Sequence, residues 1–201
     1  MLRTEHAIVR RHAPMIRITH WINTAAVCAL VVSGAAILLA HPRLYWGETG
    51  VVGEPSLLDL PLPFVLTGQT GWGRSLHFLA AWICVVNAAA YFAGGIRQTH
   101  FSRGFDVYTR SQRAVYRLVV FVLAPLALWT GLAMSPAVTS ALPFLATVLG
   151  GQQSARTIHF VAATALVVFV LGHVLMVSVS GFGDRMRAMI MGPPKGGHSV
   201  A

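Results

Sequence analysis

The sequence predicts an all-α integral membrane protein, built as a bundle of four transmembrane helices. Of its 201 residues, 55% are hydrophobic and only 10% are charged, whereas soluble domains average about 25% charged residues. Four apolar runs, near residues 15–40, 75–97, 114–134 and 155–180, each reach the roughly 20 residues that an α-helix needs to cross a bilayer. We therefore expect one membrane domain over residues 15–182 and no attached soluble domain.

The first half of the chain is predicted to contain a basic tail, residues 1–14, then helix 1, a long loop and helix 2. The loop, residues 41–73, is rich in glycine, proline and aromatic residues. Loops of this length are usually functional or disordered. Because tryptophan and tyrosine prefer the membrane surface, we expect an ordered lid there. Helix 2 is predicted to begin near Arg74 and to end near Gly95.

The second half begins with a loop at residues 96–113, followed by helix 3, in which Pro125 predicts a kink. A connection over residues 135–154 leads to helix 4, which is predicted to run to about residue 180. The C-terminal tail, residues 183–201, starts with a short amphipathic stretch that is typical of a helix lying on a membrane surface. We expect the last residues to be disordered.

Positive charges are distributed unevenly between the two sides of the predicted bundle. A formal net charge of +9 can indicate nucleic-acid binding in a soluble protein. Here, twelve of the fifteen lysines and arginines fall on the side of the N-terminus, and the other three are Arg43, Arg74 and Arg156. Such a positive-inside bias predicts that both termini are cytoplasmic and that residues 41–73 lie on the outer side of the membrane. It excludes nucleic acid as a partner.

Three of the four predicted membrane helices open with an arginine that is followed three residues later by a histidine. A fourth histidine lies inside the last apolar run. Ionisable residues in membrane helices are costly and usually mark function, and four such histidines suggest two bis-histidine haems. The residues are Arg17 with His20, Arg74 with His77, Arg156 with His159, and the fourth histidine, His173.

The predicted topology places these histidines at two depths. His77 and His159 fall near the outer face, and His20 falls near the inner face. His173 comes 14 residues after His159, which is about 21 Å deeper and about 40° around the helix. We therefore expect His77 and His159 to hold the iron of an outer haem, and His20 and His173 to hold the iron of an inner haem.

Each arginine of the motif lies on the same helix face as its histidine, one turn closer to water. Haem propionates would lie there, so Arg17, Arg74 and Arg156 are candidate propionate partners, and Arg117 is a candidate near His173. Two glycines, Gly34 and Gly131, are predicted to face the outer level and to leave room for a haem. Close helix packing is an equal explanation of both glycines.

Other chemistry fits the histidines less well. A proton relay in a transporter would also use intramembrane histidines. Zinc is disfavoured, because each level supplies two histidines and no obvious carboxylate or thiolate. The histidines outside the predicted spans are expected to be solvated, and they are His6, His12, His41, His100 and His198.

On these residues the sequence resembles a known family, the four-helix di-haem cytochrome b subunits of formate dehydrogenase, thiosulfate reductase and nickel–iron hydrogenase, which are related to bacterial cytochrome b561. The resemblance covers residues 13–182. The stretch from His41 to Gly47 is similar to the thiosulfate-reductase type, which is often paired with a periplasmic molybdopterin enzyme. The matching residues are Arg17, His20 and Trp21 on helix 1, His77 on helix 2, and His159 with His173 on helix 4.

The resemblance implies quinone chemistry beside the inner haem, involving His173. The formate dehydrogenase subunits also use an inner loop that contains an asparagine, and the comparable stretch here, Tyr108 to Arg113, has no asparagine. The family implies an electron-transfer subunit with two b-type haems, between the quinone pool and a periplasmic redox enzyme. Two rival hypotheses are a stand-alone superoxide:quinone oxidoreductase similar to cytochrome b561, and a haem-free transporter.

Overall fold

The structure, a computed structural model, describes residues 14–50, 53, 55–61, 70–97 and 109–192. Within these ranges, four helical segments are long and apolar enough to cross a membrane, so the predicted all-α membrane fold is confirmed. The predictions made for residues 1–13 and 193–201 lie outside the described residues. The segments are α1 (Pro14–Ala40), α2 (Thr70–Arg97), a third span that combines α3 (Arg110–Leu118), a π-helical turn (Val119–Leu123) and α4 (Ala124–Ala133), and α7 (Gln152–Val179).

Three spans begin earlier than the apolar runs predict. The second span begins at Thr70 and not near Arg74, the third begins at Arg110 and not near residue 114, and the fourth begins at Gln152 and not near residue 155. At the start of α3, the Thr109 side chain accepts the N–H of Gln112, and the Gln112 side chain accepts the N–H of Thr109. This capping box stabilises a polar first turn. A hydropathy pattern cannot show such a turn, because its side chains are not apolar.

A π-helical turn lies directly before Pro125, the residue at which the sequence predicts a kink. The N–H of Ala124 bonds the carbonyl of Val119, five residues earlier, and α4 has a proline in its first turn. Proline has no N–H, and its ring collides with the carbonyl four residues before it. Widening the helix to five-residue hydrogen bonds accommodates the proline within one continuous span.

The connections between spans contain short elements. After α1, β1 (Arg43–Leu44) pairs antiparallel with β2 (Leu58–Asp59), and an ion pair of 3.1 Å joins Arg43 to Asp59. Two single-turn helices, α5 (Pro136–Thr139) and α6 (Phe144–Thr147), lie between α4 and α7. The short tail helix predicted from the sequence is present as α8 (Phe182–Ile190).

The spans pack as two hairpins, α1 with α2 and the third span with α7. Contacts within each hairpin are extensive, whereas contacts between the two hairpins are sparse along the spans. Apart from Asn87, the buried side chains of the described spans are small, namely Thr19, Ala26, Ser33, Ala36, Ala80, Thr130, Ala133, Ser154, Ala155, Thr157 and Ala162. Small residues let helix backbones approach closely within a hairpin. They do not build a core of large side chains between the hairpins.

A buried asparagine also joins the first two spans. Asn87 on α2 donates hydrogen bonds to the carbonyl of Thr19 at 2.7 Å and to the side-chain oxygen of Asn23 at 2.8 Å, both on α1. Hydrogen bonds between membrane helices fix their register as well as their distance. The bond to Thr19 is one residue from His20, so it also helps to place that histidine.

Candidate cofactor site

Four histidines of the spans form two pairs, and each pair joins the two hairpins. His77 on α2 and His159 on α7 have ring centroids 6.1 Å apart, with 65° between the ring planes. His20 on α1 and His173 on α7 have ring centroids 6.5 Å apart, with 60° between the ring planes. The structure therefore brings together the same pairs that the predicted depths indicate.

A serine of the neighbouring helix holds the imidazole of His77. Ser33 Oγ lies 3.0 Å from His77 Nδ1 and 2.6 Å from the carbonyl oxygen of Ala29. A hydroxyl has one proton and a carbonyl oxygen only accepts, so we assign the Ser33 proton to Ala29, the closer of the two contacts. Ser33 Oγ then accepts the Nδ1–H of His77. This assigns His77 the tautomer whose Nε2 is unprotonated and able to bind a metal.

The ring of His159 has the same environment on the other hairpin. Thr130 Oγ1 lies 2.9 Å from His159 Nδ1 and donates to the carbonyl of Leu126 at 2.7 Å. By the same argument, Thr130 accepts the Nδ1–H of His159 and leaves Nε2 unprotonated. Ser33 and Thr130 are both 0% exposed, so no solvent competes for either hydrogen bond.

A glycine follows each of these hydroxyl residues in the sequence. A Cβ atom at Gly34 would lie 3.5 Å from Cε1 of His77, and a Cβ atom at Gly131 would lie 3.6 Å from Cε1 of His159. Both glycines thus lie beside the rings at the level that the sequence predicts. These distances are ordinary van der Waals contacts, so the histidine rings alone do not require glycine at either position.

The second pair lies among aromatic side chains. The ring of Phe169 stacks on His173 with 25° between the planes, and Trp21 meets His20 edge-on at 5.5 Å. His173 Nδ1 is buried, and within the described part of the chain it has no hydrogen-bond partner. Buried polar atoms are normally paired, so the His173 imidazole is a candidate for binding a ligand.

Both pairs fit the axial ligand set of a haem iron. An imidazole nitrogen binds a transition metal at about 2 Å and the ring adds roughly 1 Å to its centroid, so two axial imidazoles have centroids roughly 6 Å apart. The separations of 6.1 and 6.5 Å agree with this value. Across the described ranges, no group of three or more histidine, cysteine or acidic residues could hold a bare metal ion. A cofactor that brings its own in-plane ligands therefore fits the donor set.

Two of the predicted arginines, Arg74 and Arg156, lie with His41 near the end of the bundle that holds His77 and His159. Arg156 donates a hydrogen bond to the backbone carbonyl of His41. Burial lowers the pKa of the His41 imidazole, and the positive charges of Arg156 and Arg74 lower it further. His41 is exposed, as the sequence predicts for a solvated histidine, and it lies in a cationic cluster with the two arginines. Such a cluster suits a carboxylate ligand.

Arg17, the third predicted propionate partner, contacts the C-terminal helix. Its Nη2 donates to the carbonyl of Ile190 at 2.6 Å, and Trp21 Nε1 donates to the carbonyl of Met189 at 3.1 Å. These carbonyls belong to the last turn of α8, where a helix has no internal partner for them. Arg17 Nε is buried and has no hydrogen-bond partner among the described residues. Arg17 therefore caps α8 and keeps one donor that a ligand could use.

The segment after α1 is fixed to the start of α7. The carbonyl of Gly47 accepts the backbone N–H groups of Gln153 and Ser154, at 3.0 and 3.2 Å, and the Gly47 N–H donates to Ser154 Oγ at 2.8 Å. Tyr45 is buried, and its carbonyl accepts from Thr157 Oγ1 at 2.7 Å. The first N–H groups of a helix have no helical partners, so this segment caps the helix that carries one histidine of each pair.

Sequence reasoning missed two residues of the site, Ser33 and Thr130. Serine and threonine are common in membrane helices as packing residues, so neither side chain alone indicates a function. The available signal was indirect, because each of the two residues directly precedes a glycine that the sequence places at the level of His77 and His159.

Comparison with known proteins adds a family and a relative. The sequence profile of the family described as prokaryotic cytochrome b561 matches residues 11–192, a range that includes both histidine pairs. The chain is also similar to a protein of Azospira oryzae named as a putative protein-methionine-sulfoxide reductase subunit, YedZ1. The two are 29% identical over 198 residues, which cover 84% of this chain and 90% of the relative.

Proposed function

The chain belongs to the prokaryotic cytochrome b561 family, and from this premise we propose that it binds two b-type haems and carries electrons across a bacterial inner membrane. The family implies haem b, and the chain is a membrane electron-transfer subunit of an oxidoreductase. We propose the number of haems, the residues that bind them and the redox partners as follows.

The observation that carries the proposal is the pair of facing imidazoles at each of two levels. Centroid separations of 6.1 and 6.5 Å suit axial ligation, and each pair joins one hairpin to the other. We assign one haem to His77 and His159 and a second to His20 and His173. The sparse contacts between the hairpins support this assignment, because a flat cofactor between them would replace a core of large side chains.

The arginines supply the positive charge that haem carboxylates need in a medium of low dielectric constant. Arg74 and Arg156 lie together at the end of the bundle near the His77–His159 pair, and we propose that they bind the propionates of that haem. Arg17 has one buried donor without a hydrogen-bond partner among the described residues, and it is the candidate for the His20–His173 haem. When bound, haem supplies reversible one-electron transfer.

We further propose which redox partner meets each end of the bundle. The positive-inside bias supports a position of the His20–His173 pair toward the cytoplasm, where the resemblance implies exchange with quinone. The His77–His159 pair then faces the periplasm, beneath the segment 41–50 that is fixed to α7. A periplasmic redox enzyme would dock on that side. The resemblance implies a molybdopterin enzyme, and the name of the relative associates that protein with methionine-sulfoxide reduction.

The first experiment is a reduced-minus-oxidised absorbance spectrum of the purified protein, with haem quantified as pyridine haemochromogen. We expect a b-type spectrum with about two haems per chain, because each low-spin haem needs two axial histidines. The variants His77→Ala and His173→Ala should each keep about one haem. Thr164→Val is the control, because Thr164 is exposed and bonds only the carbonyl of Phe160 in its own helix. A folded but colourless protein would contradict the proposal and favour a proton-relay transporter.

A second experiment tests the partners. A short-chain quinol, added without oxygen, should reduce the haems of the wild type faster than those of His173→Ala, because the variant lacks a ligand at the proposed quinone end. A periplasmic oxidoreductase should co-purify with the chain and reoxidise the haems when its substrate is added. A chain that purifies alone and is reduced by superoxide would instead support the stand-alone superoxide:quinone oxidoreductase.

A further inference from the structure

We infer that Ser33 and Thr130 are positioning residues that orient the imidazoles of His77 and His159 and tune the haem iron between them; this inference rests on the proposed haem binding. The two residues lie on different hairpins, yet each presents a fully buried hydroxyl to Nδ1 of a histidine, at 3.0 and 2.9 Å. The same arrangement has thus formed twice, from a serine on α1 and from a threonine on α4.

We assign each hydroxyl as the acceptor from its histidine, because its single proton is assigned to the closer contact, a backbone carbonyl. Ser33 donates to the carbonyl of Ala29 at 2.6 Å, and Thr130 donates to the carbonyl of Leu126 at 2.7 Å. An imidazole that donates its Nδ1–H becomes more basic at Nε2 and is fixed in one ring orientation. A more basic axial ligand favours the ferric over the ferrous iron. Both hydroxyls should therefore lower the midpoint potential of this haem.

The effect should be confined to one of the two haems. At the other level, His173 Nδ1 is buried and has no hydrogen-bond partner in the described part of the chain, and its ring stacks on Phe169. His173 therefore lacks the stabilisation that Ser33 and Thr130 give to their histidines. Removing either hydroxyl should change the potential of the His77–His159 haem and leave the potential of the His20–His173 haem unaltered.

The test is a potentiometric titration of the haem-loaded protein, together with the electron paramagnetic resonance of its ferric form. The variants Ser33→Ala and Thr130→Val should each raise one of the two midpoint potentials. We expect a change of about tenfold in the ferric–ferrous equilibrium, the lower end of what partners of metal-bound histidines contribute, which is about 59 mV for one electron. The ferric g-values of the same haem should shift, because the imidazole is freed to turn.

Variants that keep the hydroxyl separate positioning from packing. Ser33→Thr and Thr130→Ser should retain the potentials of the wild type. If Ser33→Ala and Thr130→Val lose a haem, the two variants that keep the hydroxyl should retain it. Thr164→Val, which removes an exposed hydroxyl bonded only within α7, should change neither potential. Unaltered potentials and g-values in both Ser33→Ala and Thr130→Val would overturn the inference, as would equal shifts in the hydroxyl-keeping variants. Absence of haem from the wild type would instead contradict the proposed function.

Discussion

The surroundings of the His41 imidazole disfavour its protonated form. Its pKa lies below the ordinary value of 6.5, first because the ring is partly buried and then because Arg156 and Arg74 repel a further positive charge. The unfolded chain has neither constraint, so at acidic pH it binds this proton more readily than the folded chain does. As the pH falls through about 6.5, the free energy of unfolding should therefore decrease.

This dependence can be measured as the thermal unfolding midpoint in detergent between about pH 8 and pH 5. The wild type should lose stability toward acid, and His41→Gln should lose less, because glutamine does not titrate. The two proteins should show their smallest difference in slope above about pH 7, where His41 is neutral in both the folded and the unfolded chain. Parallel curves across the whole range would show that His41 is not shielded as the structure indicates.

The sequence predicted the position of a side chain only where its spacing from another residue of the same helix determines the helix face and the depth. The three-residue spacing placed Arg156 on the face of His159, and the 14-residue spacing placed His173 on the same face one level away. Arg17 obeys the same spacing, yet its guanidinium bonds the carbonyl of Ile190, 173 residues later in the chain. No local pattern gives the position of a tail helix, so that contact required the three-dimensional structure.

The start of α7 depends on a glycine that a larger residue could not replace. Gly151 has a φ of +114°, and a Cβ atom there would lie 2.5 Å from the carbonyl oxygen of Gly47. That oxygen caps α7 by accepting the N–H groups of Gln153 and Ser154. Gly151→Ala should therefore destabilise the protein by at least about 1–3 kcal/mol, because alanine rarely adopts this φ and the methyl group would displace the cap.

Gly172→Ala is the matched control on the same helix. Apart from the backbone of α7 and the two chain neighbours, no atom of the described residues lies within 4 Å of a Cβ atom at Gly172, and alanine is the better helix former by about 1 kcal/mol. The thermal midpoint should fall for Gly151→Ala and stay equal or rise for Gly172→Ala. Limited proteolysis should also cut the segment 41–50 faster in Gly151→Ala. Equal behaviour of the two variants would show that the contact between Gly47 and Gly151 does not hold this segment on α7.

The elements themselves were largely predictable, and their ends were not. A span is determined by an apolar run, which the sequence shows directly. The capping box of Thr109 and Gln112, the π-helical turn before Pro125 and the contact between Gly47 and Gly151 depend on backbone hydrogen bonds. An apolar run does not show such bonds, so the apolar pattern gave the existence of each span and missed the first turns of the second, third and fourth spans.

At the scale of the whole molecule, the two hairpins are joined mainly at the ends and at the histidine pairs. The segment 41–50 links α1 to α7, and Arg17 and Trp21 link α1 to α8. Between these connections, the described spans bury small side chains within each hairpin. The surface that each hairpin turns toward the other therefore has few protein partners, and bound haem is expected to supply the missing contacts.

Haem should accordingly contribute a large share of the stability. A ligand that binds only the folded state adds about 4 kcal/mol when its free concentration is a thousand times its dissociation constant. Protein produced under haem limitation should therefore unfold at a lower temperature and be cut more readily by protease than the loaded protein, and added haemin should restore both properties. A variant in which all four paired histidines are alanine should resemble the haem-depleted protein and gain nothing from haemin. Equal thermal midpoints with and without haem would show instead that the two hairpins hold each other without a cofactor, and that the facing imidazoles stabilise the bundle by direct contact.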